Sequence, residues 1–469
     1  MRVQLFRRAL LLALIAACFA PGHASAASRM WAGFQDDESF RWVDDRQTLL
    51  DQAQAANATV IRTTVYWSKV APTRPASAAD PFDPAYQFVD LDDTVRAAQH
   101  RGIEVMLTVW GTPKWAGPAQ NRLPRRLSDF QNFTRALAAR YSGRYAGYPF
   151  VRFISIWNEP NRGIFLSPQF SPRGRSLAPT LYAKLVRAGY AGVKAGNPRA
   201  VVAIGETASN GRDRKVTRAG LQDTHSPGKF AELLSKVRPR IKFDAWAHHP
   251  YPTSPSMKPT QKMRWPNVSL AGLPTFEKAI DKWFRRKNIP IWVTEYGHET
   301  KPDPRGVTFS TQRSYLQEAF GIARKDPRVQ MFIWFILADR PSVPWQSGLL
   351  TATGAPKNAY STFASLAKGV DARNAIVSVH GRNPLVRFSV LPMSYYAPVG
   401  SVVGVWWQLK QGAKILNAGV PAVPLEVDGW VSLRIPAFKP VKGAKYTLVV
   451  NANNEAGVKV QRVLTLNGS

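Results

Sequence analysis

Hydrophobic and polar positions follow two alternating patterns along most of this chain. From about residue 30 to 370, short continuous apolar runs are separated by longer stretches with apolar residues at helical spacing. The runs predicted as strands are Met30–Phe34, Thr59–Trp67, Ile103–Trp110, Val151–Asn158, Ala200–Glu206, Phe243–His249, Ile289–Glu295 and Val329–Leu337. The predicted helices are Asp45–Ala56, Leu91–His100, Ser128–Arg144, Thr180–Ala195, Lys229–Val237, Thr275–Lys287, Thr311–Lys325 and Ala359–Lys368.

Eight strands that alternate with eight helices are typical of a (β/α)8 barrel. Runs that are apolar throughout indicate parallel strands that are covered on both faces. The alternative is an open doubly wound sheet, which is disfavoured because no glycine-rich phosphate loop follows the first strand. The sequence therefore predicts an α/β protein with a (β/α)8 TIM barrel over about residues 27–370.

The pattern changes at about residue 372, where helical periodicity stops. Short apolar runs there are separated by Gly, Pro and Asn: Ala375–Val379, Leu385–Val390, Val402–Leu409, Trp430–Ile435, Lys445–Asn451 and Val458–Leu466. This spacing predicts a small immunoglobulin-like β-sandwich over residues 371–469. Two roles for it stay open, a packing module that shields the barrel and a polysaccharide-binding module.

The N-terminus is typical of an export signal. Three arginines in the first eight residues precede the apolar run Ala9–Ala20, and Ala24-Ser25-Ala26 is a small-residue cleavage site. We therefore expect residues 1–26 to be a signal peptide and the protein to be extracellular or in the cell envelope. The setting of Cys18 also resembles a lipobox, so a lipid anchor at Cys18 is the minor alternative.

Cys18 is the one cysteine of the chain, and it lies within the predicted signal. After cleavage of the signal we expect no disulfide, no thiol nucleophile and no cysteine-based metal site. The apolar run of the signal is too short to span a bilayer, and no later stretch of the sequence is long enough.

The chain is strongly basic, with 63 Lys and Arg against 31 Asp and Glu and a formal charge of +32. One interpretation is an anionic partner, such as an acidic polysaccharide, a cell-wall polymer or a membrane surface. The other is a genome that favours arginine, combined with lysines that keep an exported protein soluble. Nucleic acid is disfavoured as a partner because the charges are scattered, with no basic helix or aromatic-basic repeat.

Two glutamates stand at the ends of predicted strands. Glu159 follows the fourth strand in Ile156-Trp157-Asn158-Glu159-Pro160, and Glu295 ends the seventh in Val293-Thr294-Glu295-Tyr296-Gly297. The carboxyl ends of barrel strands meet at the mouth, where barrel enzymes keep their chemistry. Two carboxylates facing one sugar are the groups that hydrolyse a glycosidic bond. We therefore expect a glycosidase.

At these residues the chain resembles the clan A glycoside hydrolases, which are retaining (β/α)8 enzymes. Their signature is Asn-Glu after the fourth strand and Glu at the end of the seventh, here Asn158-Glu159 and Glu295. The resemblance covers the barrel from about residue 30 to 370. It implies that Glu159 is the acid/base, that Glu295 is the nucleophile and that Asn158 binds the sugar 2-hydroxyl, without a cofactor or a metal.

Further positions agree with this resemblance. The run Ala247-His248-His249-Pro250-Tyr251 looks like the His-x-Tyr of the sixth strand, so His249 and Tyr251 are expected in the site, with Tyr251 orienting the nucleophile. Trp334 matches the tryptophan that forms the sugar platform on the eighth strand. An ordinary loop pair of histidines is the alternative, and a metal site is disfavoured because no third ligand has suitable spacing.

Arg62 interrupts the apolar run of the second strand. A buried arginine needs a carboxylate partner, and Glu295 is the obvious candidate. The alternative is an arginine on the surface of the strand. We count Arg62 among the substrate-binding residues.

The family within the clan stays open. Family 5 cellulases resemble the fourth, sixth and seventh strands, but they usually carry a histidine at the end of the third strand. This chain has Trp110-Gly111-Thr112-Pro113-Lys114-Trp115 there, a run that looks more like family 39, the xylosidase and exopolysaccharide-hydrolase group. Trp110 is expected to contact the sugar.

The sequence thus predicts an exported retaining glycosidase that acts on a polysaccharide or an oligosaccharide. Two alternatives are a barrel that binds glycans without cleaving them and a transglycosylase that uses the same glutamates. The sugar, the linkage and endo or exo action are left undetermined.

Overall fold

A computed structural model of the chain describes residues 29–145, 147–342, 344–374, 376–390, 400–426, 429–454 and 458–469. The predicted signal peptide, residues 1–26 with Cys18, lies outside the described residues, as does Ala375 of the first predicted sandwich strand.

Eight parallel strands form a closed barrel in the order of the sequence. They are β1 (Trp31–Gln35), β2 (Val60–Tyr66), β3 (Glu104–Trp110), β4 (Phe153–Ile156), β5 (Val201–Ala208), β6 (Ala245–His249), β7 (Ile291–Tyr296) and β8 (Val329–Phe335). Closure is complete because β1 pairs with β8, with Trp31 opposite Met331 and Gln35 opposite Phe335. The predicted (β/α)8 barrel is confirmed.

Helices connect these strands on the outside of the barrel. In the described part of the chain they are α1 (Asp37–Arg41), α2 (Arg46–Ala55), α3 (Trp67–Val70), α4 (Val89–His100), α5 (Leu127–Arg140), α6 (Ala178–Gly196), α7 (Pro227–Ser235), α8 (Leu273–Phe284), α9 (Phe309–Lys325) and α10 (Asn358–Val370). The short helices α1 and α3 were not predicted, because four or five residues are too few to show a helical period. No helix among the described residues is long and apolar enough to cross a membrane.

Glycines let two of the outer helices approach closely. A Cβ at Gly192 of α6 would lie 2.1 Å from Thr134 Oγ1 of α5, and one at Gly196 would lie 2.3 Å from the Arg135 carbonyl oxygen. A larger side chain at either position would push the helices apart. This contact fixes α5 and α6 on either side of β4, the strand that leads to Glu159.

The barrel interior is apolar at one end and polar at the other. A buried cluster fills the lower part: Val60, Met106, Phe153, Ala203, Ala245, Ala247, Trp292, Met331 and Ile333. Charged side chains occupy the carboxyl ends of the strands, where Arg62, Glu206 and His249 are all buried. The barrel is therefore a packed core with a polar mouth, not a pore.

The C-terminal region forms two mainly antiparallel sheets with a shared core, which confirms the predicted β-sandwich. Its strands are β9 (Ile376–Val379), β10 (Leu385–Ser389), β11 (Val402–Gln411), β12 (Lys414–Gly419), β13 (Ala422–Pro424), β14 (Trp430–Arg434), β15 (Lys445–Asn453) and β16 (Lys459–Gly468). β10 pairs with β14, and the other strands form the second sheet, in which β9 lies parallel to β16.

The sandwich contacts the end of the barrel opposite the mouth. The Arg152 guanidinium, just before β4, stacks 4.6 Å from the ring centre of Trp430. Arg373 donates from Nη1 to the carbonyl oxygen of Gly102, just before β3, at 2.7 Å. These contacts lie at the amino ends of the strands, so they stabilise the barrel without shaping its mouth.

Candidate active site

The chain turns sharply where β4 delivers Glu159 to the mouth. β4 ends at Ile156, and Trp157 and Glu159 have left-handed backbone angles, with φ of 70° and 34°. The buried Asn161 holds this turn, because its side chain donates to the carbonyl oxygens of Ala208 and His225 and accepts from the Ala208 amide. Glu159 is thereby fixed with its carboxylate facing the interior of the mouth.

Glu295, on β7, faces Glu159 across the mouth. One oxygen of each carboxylate lies within 4.8 Å of the other. Arg62 donates from Nη1 to Glu295 Oε1 at 2.6 Å, and the Tyr251 hydroxyl donates to Oε2 at 3.0 Å. Both oxygens of Glu295 are therefore held in place by side chains from β2 and from the end of β6.

Arg62 is buried beneath the two carboxylates and uses its whole guanidinium. Besides Glu295, it donates from Nε to Thr108 Oγ1 at 2.8 Å and from Nη2 to Asn158 Oδ1 at 2.8 Å. Nη2 also lies 3.2 Å from Glu206 Oε2. Burial alone would lower the pKa of Arg62, but the charges of Glu206 and Glu295 outweigh it and raise that pKa above its usual value. A permanent positive charge thus lies under the site, with the partner that the sequence indicated.

Glu206 is a site residue that sequence reasoning missed. It lies in a bulge of β5 with a φ of 44°, next to Gly205, where a Cβ would clash with the Ala247 carbonyl oxygen at 2.6 Å. Its Oε2 accepts from the Thr294 hydroxyl at 2.8 Å and lies 2.7 Å from His249 Nε2. The signal was a glutamate at the carboxyl end of a predicted parallel strand, the same signal that identified Glu159 and Glu295.

His249 bridges two of these carboxylates. Nε2 faces Glu206, and Nδ1 lies 3.1 Å from Glu159 Oε1 and 3.6 Å from Glu295 Oε2. Burial alone would lower the pKa of His249, but the charge of Glu295 and the hydrogen bonds to Glu159 and Glu206 raise it to about 9. His249 is therefore an imidazolium at neutral pH, and both of its N–H groups donate to carboxylates.

The same network keeps the carboxylates of Glu206 and Glu159 ionised. Burial raises the pKa of Glu206, but the Arg62 charge and the His249 hydrogen bond lower it to about 2. For Glu159 burial also raises the pKa, and the His249 hydrogen bond and the charge of Arg162, 3.3 Å away, hold it below its ordinary value. Without substrate, Glu159 is thus a carboxylate.

A cavity of about 370 Å³ opens above both glutamates. Its lining residues are Gln35, Asp36, Asp37, Glu38, Trp42, Thr64, Tyr66, Asn158, Glu159, Phe165, Glu295, Phe335, Ile336, Ser342 and Pro344. Most of them belong to β1, β2, β8 and the segments that follow these strands. Five of the lining residues are carboxylic acids, and none of the described ones is Lys or Arg.

Asp36 ties the two sides of this cavity wall together. Its side chain caps α1 by accepting from the Ser39 amide, and it also accepts from the amides of Leu337 and Ala338 after β8. Burial raises the pKa of Asp36 to about 6 despite these hydrogen bonds. Asp36 is therefore a structural member of the wall, whereas the carboxylate of the half-buried Glu38 beside it makes no hydrogen bond or ion pair with the described residues.

The aromatic residues that line the cavity differ in part from those that the sequence predicted. Trp334 does not line the cavity; its ring is fully buried beside Tyr296, and its Nε1 donates to the Ser347 carbonyl oxygen at 2.8 Å. The next residue, Phe335, lines the cavity instead, because consecutive side chains of a strand point to opposite faces. The structure therefore does not place Trp334 at the cavity, where it was expected as the sugar platform, and Phe335 is the aromatic residue of β8 that lines it.

Trp110 lies beside the cavity and supports its wall. Its ring packs edge-on against Tyr66 and Phe165, with centres 5.8 and 5.6 Å away, and both of these residues line the cavity. Its Nε1 donates to the Phe165 carbonyl oxygen at 3.2 Å. Trp110 thus contacts the residues that face a ligand.

Glu159, His249 and Glu295 also offer three metal-ligand atoms within 4.8 Å of one another. A cation at this point would have to displace the Nδ1 proton of His249, whose pKa is raised by its carboxylate partners. The donor set therefore favours an imidazolium between carboxylates over a metal site.

Comparisons with known proteins show the family of the chain. The model of the cellulase family, glycosyl hydrolase family 5, matches residues 24–338. Among solved structures, a family 39 glycoside hydrolase from the gut symbiont Bacteroides cellulosilyticus WH2 is 17% identical with a TM-score of 0.51, over 87% of this chain and 81% of that one. A glucosidase from Croceicoccus marinus is 14% identical with a TM-score of 0.54, over 90% of this chain and 95% of that one.

A third similar structure is GH5_18 from Streptomyces cattleya in complex with GlcNAc, 17% identical with a TM-score of 0.50, over 76% of this chain and 85% of that one. At such identities these likenesses concern the fold. No curated protein matches the chain in sequence.

Proposed function

The chain belongs to the cellulase family, glycosyl hydrolase family 5, and is an O-glycosyl hydrolase; on that premise we propose a retaining mechanism in which Glu295 is the nucleophile and Glu159 the acid/base. The observation that carries the proposal is the distance between the carboxylates, whose facing oxygens lie within 4.8 Å. Retaining pairs are about 5–5.5 Å apart, whereas inverting pairs are about 6.5–9.5 Å apart to admit a water molecule.

In the first step, Glu295 attacks the anomeric carbon while Glu159 protonates the departing oxygen. Arg62 and Tyr251 hold the two oxygens of Glu295, so the carboxylate is oriented before the sugar binds. The Arg62 guanidinium also places a positive charge 2.6 Å from Glu295 Oε1, beside the oxygen pair that would attack the sugar. Asn158, held through its Oδ1 by Arg62, is positioned to meet the sugar 2-hydroxyl with its amide nitrogen.

Glu159 must hold a proton at the moment when the leaving oxygen departs. The His249 imidazolium lies 3.1 Å from Glu159 Oε1 and can supply that proton through their hydrogen bond. In the second step Glu159, again a carboxylate, takes a proton from the water that hydrolyses the glycosyl-enzyme. Passing this proton back to the neutral His249 through their hydrogen bond restores the resting charges of both groups. The site thereby needs no cofactor or metal.

The substrate under this proposal is an oligosaccharide or a polysaccharide outside the cell, in line with the signal-like N-terminus. Transglycosylation by the same residues would differ only in the acceptor. The contacts of both glutamates weigh against a barrel that merely binds glycans, because a binding site needs no oriented nucleophile.

The test is to trap the glycosyl-enzyme. A panel of 2-deoxy-2-fluoro β-glycosides with an activated leaving group should inactivate the enzyme for the matching sugar, since the fluorine slows the hydrolysis of the intermediate more than its formation. Mass spectrometry of the digested protein should then find the sugar on the peptide that contains Glu295. Label on another residue, or an α-anomer as first product of a β-glycoside by NMR, would contradict the mechanism.

A further inference from the structure

The two sides of the barrel mouth carry opposite charge. Most of the cavity wall comes from β1, β2, β8 and the segments that follow them, and Asp36, Asp37 and Glu38 add three acids to the two glutamates there. In a closed barrel of eight strands, β5 lies opposite β1, so the segments after β4 and β5 form the far side of the mouth. Glu159 separates these two sides.

The far side is basic. The segments 157–177 and 209–226 contain seven cationic residues: Arg162, Arg173, Arg175, Arg212, Arg214, Lys215 and Arg218. Besides Glu159 they contain two acids, and both are engaged: Asp213 accepts from the Ser226 amide and hydroxyl, and Asp223 accepts from the Val216 amide. Most of the cations are solvent-exposed. The excess positive charge of these segments therefore attracts an anionic group that binds on this side of the mouth.

Backbone pairing places two of these arginines on one face. Thr224 forms antiparallel bridges with Arg162 on one side and with Arg214 on the other. Directly opposed residues in antiparallel pairs project to the same face, and each step is about 4.8 Å. Arg214 therefore shares the face of Arg162 at a backbone distance of roughly 10 Å.

The contacts of Arg162 show that this face lies beside Glu159. Its Nε lies 3.3 Å from Glu159 Oε2, and its Nη2 donates to Asn210 Oδ1 at 3.1 Å. Its Nη1 donates no hydrogen bond to the part of the chain that the structure describes, and the guanidinium of the exposed Arg214 makes neither a hydrogen bond nor an ion pair with that part. The face thus presents guanidinium groups beside the carboxyl group that meets the glycosidic oxygen.

We propose that the glycosidic bond cleaved by this enzyme joins an uncharged sugar, bound in the acidic cavity, to a leaving saccharide that carries a carboxylate recognised by Arg162 and Arg214. The inference rests on the proposed function, because Glu159 as the acid defines which side receives the leaving group. A uronic acid in the cavity would face five carboxyl groups without a cation among the described lining residues. On the other side, an arginine fork matches a carboxylate in charge and geometry.

The experiment compares two substrates that share the sugar identified by the fluoroglycoside panel. One has umbelliferone as leaving group and the other has 3-carboxyumbelliferone, which adds a carboxylate on the leaving side. These phenols also differ in acidity, so the readout is the change in the ratio of their kcat/KM values, carboxylated over neutral, upon mutation or addition of salt. Arg214→Ala and Arg214→Glu remove or reverse one charge.

The matched control is Arg324→Ala, which removes the same charge from an exposed position in the last turn of α9, at the opposite end of the barrel. We expect the ratio to fall about fivefold in Arg214→Ala, further in Arg214→Glu, and to stay at the wild-type value in Arg324→Ala. Raising the salt to about 0.5 M should lower the wild-type ratio, because exposed charges are then screened within a few ångströms. Circular dichroism and thermal unfolding verify that each variant is folded.

An unchanged ratio in both folded Arg214 variants would overturn this inference but not the proposed function. Cleavage of the neutral substrate measures the glycosidase activity separately. An equal fall in Arg324→Ala would also overturn it, because the effect would then come from net charge. Inhibition by inorganic phosphate without a ratio that responds to Arg214 would indicate phosphate recognition and likewise contradict it. If no neutral glycoside were cleaved and no sugar trapped, the proposed function would fail first, and this inference with it.

Discussion

His249 and Glu206 form an ion pair in which neither side chain is exposed, with Nε2 and Oε2 2.7 Å apart. The pair lies beneath the two glutamates of the mouth, and its other contacts reach both: His249 bonds to Glu159, and Arg62 joins Glu206 to Glu295. The charges of the site are thus linked into one network whose buried centre is Glu206. A buried network of this kind is costly to leave incomplete.

The first prediction concerns the charge of Glu206. Glu206→Gln leaves Arg62 and the His249 imidazolium buried without their shared counter-charge, and breaking such a pair costs about 3 kcal/mol or more. We expect a loss of that order in the free energy of unfolding, measured by urea denaturation, together with a lowered pKa of His249 in NMR titration. The control Glu318→Gln changes an exposed glutamate on α9 and should stay within about 0.5 kcal/mol. Equal stability of the two variants would contradict the role given to Glu206.

The second prediction is a loss of stability at alkaline pH. The pKa of His249 is raised from 6.5 to about 9, so the stability that it contributes is fully present below pH 6.5 and is lost as the pH rises through about 9. We expect the unfolding temperature of the wild type to fall between pH 7 and pH 9.5, roughly the window of that pKa shift. In His249→Gln, which has no proton to lose there, the fall should be smaller. Parallel curves for the two proteins would argue against a buried imidazolium.

At acidic pH, the stability that Glu206 contributes to the same network changes with pH in the opposite direction, so that it is lost as the pH falls. The pKa of Glu206 is lowered from 4.5 to about 2, so its contribution is present above pH 4.5 and is lost as the pH falls through about 2. The wild type should therefore lose unfolding temperature below pH 4 more steeply than Glu206→Gln. Differential scanning calorimetry at pH values from 2 to 5 would measure this, and identical slopes would contradict it.

The third prediction separates the two glutamates. If Glu295 is the nucleophile, as proposed, Glu295→Ala removes the covalent step, and its residual activity should be nearly nil on every substrate. If Glu159 is the acid, Glu159→Ala should affect substrates with poor leaving groups most. Azide needs no base; with Glu159→Ala it should restore the rate and give a β-glycosyl azide, and with Glu295→Ala it should attack directly and give the α-azide. Products of the opposite configuration would exchange the two roles.

The fourth prediction tests the aromatic residues of β8. Trp334→Ala empties a fully buried site and should cost about 4 kcal/mol of stability. Phe335→Ala, one residue later in the cavity wall, should leave most of the stability and raise KM, because its ring packs edge-on against Tyr251 and Trp345 and faces the ligand space. Urea denaturation and steady-state kinetics on both variants measure this. A larger KM effect from Trp334→Ala, with little loss of stability, would restore the original expectation.

The local sequence contained enough to predict the barrel and to expect Glu159 and Glu295 at one mouth. Buried parallel strands are apolar along their whole length, and they stand out between amphipathic helices, so each predicted strand overlaps an observed one. The position of the two glutamates at the mouth could also be predicted, because the carboxyl ends of parallel strands meet at one edge and Glu159 and Glu295 both end such strands. Arg62 was recognisable because a charge within an apolar strand needs a buried partner.

Other features depend on contacts between distant segments, and the tertiary structure alone decided them. The bulge at Gly205 turns Glu206 inward, yet nothing near it in the sequence tells that His249 and Arg62 will meet it there. Whether Trp334 or Phe335 faces the cavity depends on a register of one residue, because a strand alternates its faces at every position. The sequence determined which residues carry charge at the mouth, while long-range pairing, as between Thr224 and its two arginines, decided which charges lie together.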